Sequence, residues 1–220
     1  MNTMSESKLG GIAILIGAAM VFITFFIGVI AGGTPEKGVN VFAFFANDIA
    51  SKGTQSLLFA VMSGIGLALL SFGYYTLNKV IQEQEKNPLL SFGTFMLVLG
   101  NIAYIFVWCM DIAIVFSTNS IPLVQMFRIE MGLFFVFGVI YNIGFLFYAL
   151  SIAKKEYINS IIAKIVAGVS AVMGVLYIYT LLTLDQGNVD TIMPLFMGLG
   201  LANLLYLVFN VMLGRKMMHS

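Results

Sequence analysis

The sequence predicts an all-α, polytopic membrane protein with six transmembrane helices. Three observations carry that expectation. The chain is 60% hydrophobic and only 10% charged, whereas a soluble domain is about half apolar and about a quarter charged, so a water-facing surface would be short of charge. The apolar residues gather into runs of about 20, the length that crosses a hydrocarbon core roughly 30 Å thick. The connections between the runs are short and hold most of the Pro, Asn and charged residues. We expect one membrane domain over 1–220, with spans at 9–30, 57–77, 92–116, 131–152, 161–184 and 193–214.

The first run carries no charge and is too long for the core of a signal peptide, so it reads as an uncleaved first span. Gly10, Ala13 and Gly17 share one of its faces, a spacing that admits a close helix neighbour. Gly32, Gly33 and Pro35 end it. In the long connection that follows, Val41, Phe42, Phe45 and Ile49 recur at helical spacing, with Asn40, Asn47 and Asp48 largely opposite. That pattern predicts a short amphipathic helix over 39–50 lying in the interface, the alternative being a re-entrant loop. The second span should continue as solvated helix through NKVIQEQEK, where Lys79 and Glu83 form an i,i+4 pair, until Asn87-Pro88 breaks it. The third span ends at a turn over 117–122. The fourth is entered through Arg128 and Glu130, read as charges at the membrane edge. Lys154, Lys155 and Glu156 turn the chain into the fifth span. DQGNVD precedes the sixth, whose first turn suits Pro194.

Six crossings put both termini on one side. Of the 11 Lys and Arg residues, Lys37, Lys52 and Arg128 fall on one side and the other eight on the side of the termini. The bias places both termini in the cytoplasm and the protein in the cytoplasmic, inner cell membrane.

The polar residues inside the spans are the candidates for function. Asn101, Tyr104, Trp108 and Asp111 are spaced three, four and three apart, which sets them on one stripe of the third helix. Asp111 is the acid placed well inside an apolar segment, where a carboxylate is costly unless neutralised, hydrated or paired. It could pair with Arg128 or Lys52, stay protonated, or line a wet cavity and carry a proton or cation. The sixth span echoes the third: Asn203 and Tyr206 repeat the Asn-x-x-Tyr of Asn101 and Tyr104, and Asn210 takes the stripe position of Trp108. Tyr75-Thr76-Leu77 and Tyr179-Thr180-Leu181 echo at nearly the same offset. Three spans in each half would make this a 3+3 inverted repeat, an arrangement of transporters with a site near the midplane. Asn142 in the fourth span, and Ser170, Met173, Tyr177 and Thr180 on one face of the fifth, add polar atoms that could complete a cavity. Amides and phenols such as these also serve as interhelical glue.

Several classes drop out. No basic run supports nucleic acid as a partner. One cysteine, Cys109, allows neither an intrachain disulfide nor a CxxC pair. One histidine, His219, rules out histidine-built metal or bis-histidine haem sites in the membrane. No cofactor is expected. An enzyme is not expected either, because the set of acid, base, nucleophile or metal it needs is not met and no second intramembrane carboxylate stands by Asp111. The layout resembles that of uncharacterised six-span prokaryotic integral membrane proteins. The likeness covers the whole chain in length, loop sizes and order of spans, has no diagnostic motif, and implies no site residues. Two readings stand: a small transporter or channel-like protein acting on a small molecule or ion, or a non-catalytic subunit, assembly factor or sensor that works on a membrane-protein partner. Both require the lipid bilayer.

Overall fold

The computed structural model describes residues 5–117 and 123–219. The regular structure of the described residues is all helical: α1 (Glu6–Ala31), α2 (Val41–Lys52), α3 (Thr54–Gln84), α4 (Pro88–Val115), α5 (Leu123–Lys154), α6 (Ser160–Thr183) and α7 (Met193–His219), with a 3₁₀ turn at Val189–Thr191 before the last. Six of these, all but α2, are long and apolar enough to cross a membrane. From residue 118 on, the turn expected at 117–122 lies outside the described residues.

The helix starts follow from local chemistry. Ser5, Asn40, Asn87 and Asn159 cap α1, α2, α4 and α6, each side chain accepting a hydrogen bond from a backbone N–H of the first turn, which satisfies a donor that has no partner within the helix. Pro88 and Pro194 stand in the first turns of α4 and α7, where a missing N–H costs nothing. Gly53 separates α2 from α3 at φ +47°, a backbone region that glycine enters without a Cβ clash.

The six long helices form a ring in chain order. Each packs on the next, α1 on α3, then α4, α5, α6 and α7, and α7 returns to pack on α1. Small residues set the spacing at three seams. A Cβ added to Gly17 of α1 would lie 2.6 Å from the Gly66 carbonyl oxygen of α3, and one on Gly11 2.6 Å from the Gly214 carbonyl oxygen of α7. Across α4 and α5, a Cβ on Gly93 would lie 2.5 Å from the Tyr148 nitrogen, and one on Gly144 2.7 Å from the Leu97 nitrogen. In lipid, where no hydrophobic force drives helix against helix, this close approach supplies the packing.

Polarity runs inside out. Ser63, Thr76, Asn101, Ser170 and Asn210 are buried, while Phe95, Phe106, Val175, Leu182 and Leu201 are exposed on the outer faces. A water-soluble bundle would do the reverse, so the outer surface is built for lipid. The interior is largely aromatic. Phe145 and Tyr206 stack with ring centroids 4.2 Å apart, and Tyr74 and Tyr148 meet at 5.2 Å.

α2 does not span. It lies across one end of the ring against α3, α4 and α5, with Val41, Phe42 and Ala46 buried and Phe45 edge-on to Phe196 of α7. The apolar stripe read from the sequence therefore meets protein. Its N-terminus is tied to the α6–α7 connection: Val41 N–H donates to the Gln186 carbonyl at 2.8 Å.

Two details differ from the sequence reading. Lys79 pairs with Glu6 of α1 at 2.7 Å, a tertiary contact in place of the local pair with Glu83. α5 begins at Leu123, eight residues before the expected 131, with consequences for Glu130.

Candidate functional site

All seven helices line one cavity of about 290 Å³ inside the ring. Its walls are mostly apolar and aromatic. Phe45 and Ile49 of α2 cover the end where α4 finishes and α5 starts, and Asn142, Asn203 and Tyr206 line it at mid-helix level.

Two carboxyls face each other at the covered end. Asp111 lies one turn before the end of α4, and Glu130 two turns into α5; both line the cavity. They are 8% and 6% exposed, and they stand close enough to act on each other. Two negative charges together in a buried apolar site are costly, and a proton shared between them removes one. Asp111 Oδ1 and Glu130 Oε2 are buried with no hydrogen-bond partner. This corrects the view of Asp111 as a lone intramembrane acid without a second carboxylate. Glu130 is interior because α5 starts early, and its place could have been read from Phe127, Glu130, Met131 and Phe134, which recur at helical spacing. All four line the cavity, whereas Arg128 is exposed.

The basic residues considered as partners for Asp111 go elsewhere. Arg128 donates to Gln186 Oε1 at 3.0 Å, and Lys52 pairs with Asp48 at 2.5 Å along α2. The carboxyl pair is met by carboxyl, not by cation.

Of the other sequence candidates, Tyr104, Trp108, Asn142, Asn203 and Tyr206 line the same cavity. Their polar atoms form short buried links. The Tyr104 and Tyr177 hydroxyls lie 2.8 Å apart, joining α4 to α6. Tyr206 donates to Asn142 Oδ1 at 2.7 Å, with its oxygen 3.0 Å from Ser170 Oγ, while Asn142 Nδ2 donates to the Gly138 carbonyl at 2.7 Å. Asn101 and Asn210 stand apart from this cavity. Asn101 Nδ2 donates to Ser71 Oγ of α3 at 3.1 Å, and Asn210 Oδ1 accepts from Tyr74 at 2.8 Å. The stripe of the third span thus divides: its first member serves a helix interface and the other three face the interior. The echo between α4 and α7 does not extend to matching contacts, since Asn101 bonds α3 whereas Asn203 lines the cavity.

Among the described residues, no three His, Cys, Asp or Glu side chains come together as a metal centre would need. What the arrangement can do is hold a proton or a single positive charge beside an apolar, ring-lined space.

The chain matches no known protein family, no curated protein and no solved structure. Its class rests on the architecture: a polytopic integral membrane protein whose six long apolar helices are consistent with six spans.

Proposed function

We propose that the protein is a small proton-coupled transporter of the cytoplasmic membrane, with both termini in the cytoplasm, that takes a small solute into the axial cavity and uses the Asp111–Glu130 pair as its proton site. One observation carries this reading: two buried carboxyls, from α4 and α5, line one cavity, and each has an oxygen unsatisfied. A carboxyl pair in a membrane interior is costly and is kept where it serves a proton or ion path. Asn101 Oδ1, Thr76 Oγ1 and Thr180 Oγ1 are also buried without a partner; what sets the pair apart is that two acids stand on one cavity wall, where neutral side chains would pack at lower cost. The orientation is supported by the excess of cations on the side of the termini. We read the pair as an exchange site rather than a catalytic one.

The test is solute-dependent proton movement. Protein reconstituted into liposomes with a trapped pH dye is presented with a panel of cationic, neutral and anionic aromatic solutes. At least one class should move protons across the wild-type membrane, and Asp111→Asn and Glu130→Gln should each abolish the signal while remaining monodisperse and helical. If no class moves protons, or the variants match wild type, the reading fails.

A further inference from the structure

We infer that the cavity takes a protonated primary or secondary amine with an apolar, ring-bearing body, which exchanges with a proton at the Asp111–Glu130 pair. This rests on the transporter reading above and names its substrate class.

The chemistry of the walls selects the ligand. Asp111 Oδ1 and Glu130 Oε2 are acceptors without donors, buried, in residues that are 8% and 6% exposed. Both residues line the cavity; a ligand held by their carboxyls must bring N–H or O–H groups, and an ammonium brings up to three together with the opposite charge. Trp108, Phe127, Phe134 and Tyr104 line the same cavity. Aromatic faces attract a cation and match a flat apolar body. A bare metal ion fits poorly, because it would need several more oxygens in place of these rings. An anion would meet the carboxyls as a like charge.

The exchange balances. With both carboxyls protonated the pair is neutral. Entry of one ammonium with release of one proton leaves a singly protonated pair of charge −1 against a ligand of +1, so the cavity stays neutral. No covalent bond is made. The other ionisable groups of the cavity are the phenols of Tyr104, Tyr141, Tyr177 and Tyr206, from α4, α5, α6 and α7; α1 and α3 contribute Val21, Phe25 and Leu67, and α2 contributes Phe45 and Ile49. Of the ionic groups near this end, Lys52 pairs with Asp48 and Arg128 donates to Gln186, and neither lines the cavity. The pair is therefore the cavity's exchangeable charge.

The chain carries its own reporter. Trp108, its only tryptophan, lines the cavity. Full-length protein in lipid nanodiscs is titrated with 2-phenylethylammonium and, separately, with the neutral 2-phenylethanol, following Trp108 emission. The amine should give a saturable change, bind at least tenfold more tightly than the alcohol, and weaken as the pH is lowered. Asp111→Asn and Glu130→Gln should each lower amine affinity at least tenfold and alcohol affinity by clearly less, while monodisperse elution and unchanged helix content show that the fold is intact. Alcohol binding as tight as amine binding, or amine binding indifferent to both variants, overturns the substrate class while the proton-flux assay above still stands. Silence from both solutes together with absent proton flux overturns both readings.

Discussion

Tyr74 of α3 donates a hydrogen bond of 2.8 Å to Asn210 of α7, so two helices that both pack on α1 are also joined on the inner side of the ring. Tyr74 is fully buried and Asn210 nearly so. Tyr74→Phe removes the donor and strands a buried amide oxygen. The expected loss is about 1 kcal/mol, read as a lower midpoint of thermal unfolding in detergent. Adding Asn210→Leu to Tyr74→Phe should recover part of it, since a matched apolar pair leaves nothing unsatisfied.

The glycine seam between α4 and α5 positions the carboxyl pair. Gly144→Leu would drive side-chain atoms into the backbone of α4, where even a Cβ comes within 2.7 Å of the Leu97 nitrogen. Overpacking of this kind costs roughly 2 kcal/mol, and the displaced helices carry Asp111 and Glu130 with them, so proton coupling should fall along with stability. Gly64→Ala and Gly168→Ala meet nothing within 4 Å and should leave stability within about 0.5 kcal/mol of wild type. Thermal midpoints of the three variants, measured side by side, check both halves.

At the opposite end of the bundle from α2, Lys155 bonds and pairs with Glu85. The hydrogen bond and charge of the Lys155 ammonium hold the Glu85 carboxyl below its ordinary value of 4.5. A depressed folded-state value means that the contribution is fully present above the unfolded value and is lost as the pH falls through the folded one. The midpoint gap between wild type and Lys155→Met should therefore be largest near neutrality and close in acid below 4.5. Salt should narrow it too, because the pair faces water.

Gln186 ties α2 in place. Its carbonyl accepts from Val41 N–H at 2.8 Å and its side-chain oxygen from Arg128 at 3.0 Å. Gln186→Ala keeps the first bond and removes the second, together with the 3.5 Å bond that the side-chain oxygen accepts from Nδ2 of Asn40, the N-cap of α2. Amide hydrogen exchange in α2 should speed up, with α4 and α5 unchanged, since elements held by few contacts open locally at low cost. Equal exchange in both proteins would show that the buried Phe42 and Val41 hold α2 without the tether.

Much of this molecule was legible in its residues, for physical reasons that differ by element. The spans stand out because lipid leaves few options for a backbone that must satisfy its own hydrogen bonds. The inward face of Tyr104, Trp108 and Asp111 followed from helical spacing, which fixes direction along one helix. Spacing does not say what stands opposite, so Asn101 was grouped with residues from which the fold separates it. Glu130 was misplaced because Arg128, two residues before it, reads as a membrane boundary; at about 100° per residue the two point to nearly opposite sides of the helix, and the side chains end in different surroundings. Ser170, Met173, Tyr177 and Thr180 were seen to share a face, and all four are buried. The partnership of Lys79 with Glu6 depends on how α1 meets α3, which no local pattern encodes.

Because the ring closes by α7 returning to α1, the order of synthesis matters. Of the six long helices, α1 is made before the others and is the last to acquire its second neighbour. Until α7 has left the ribosome, the Gly11 face of α1 and the cavity wall later supplied by Phe196, Asn203 and Tyr206 have only lipid or an insertion chaperone against them. A nascent chain stalled before residue 193 would hold both carboxyls in an unsealed trough, and quality control that senses exposed polar groups in the bilayer would meet this protein at that stage.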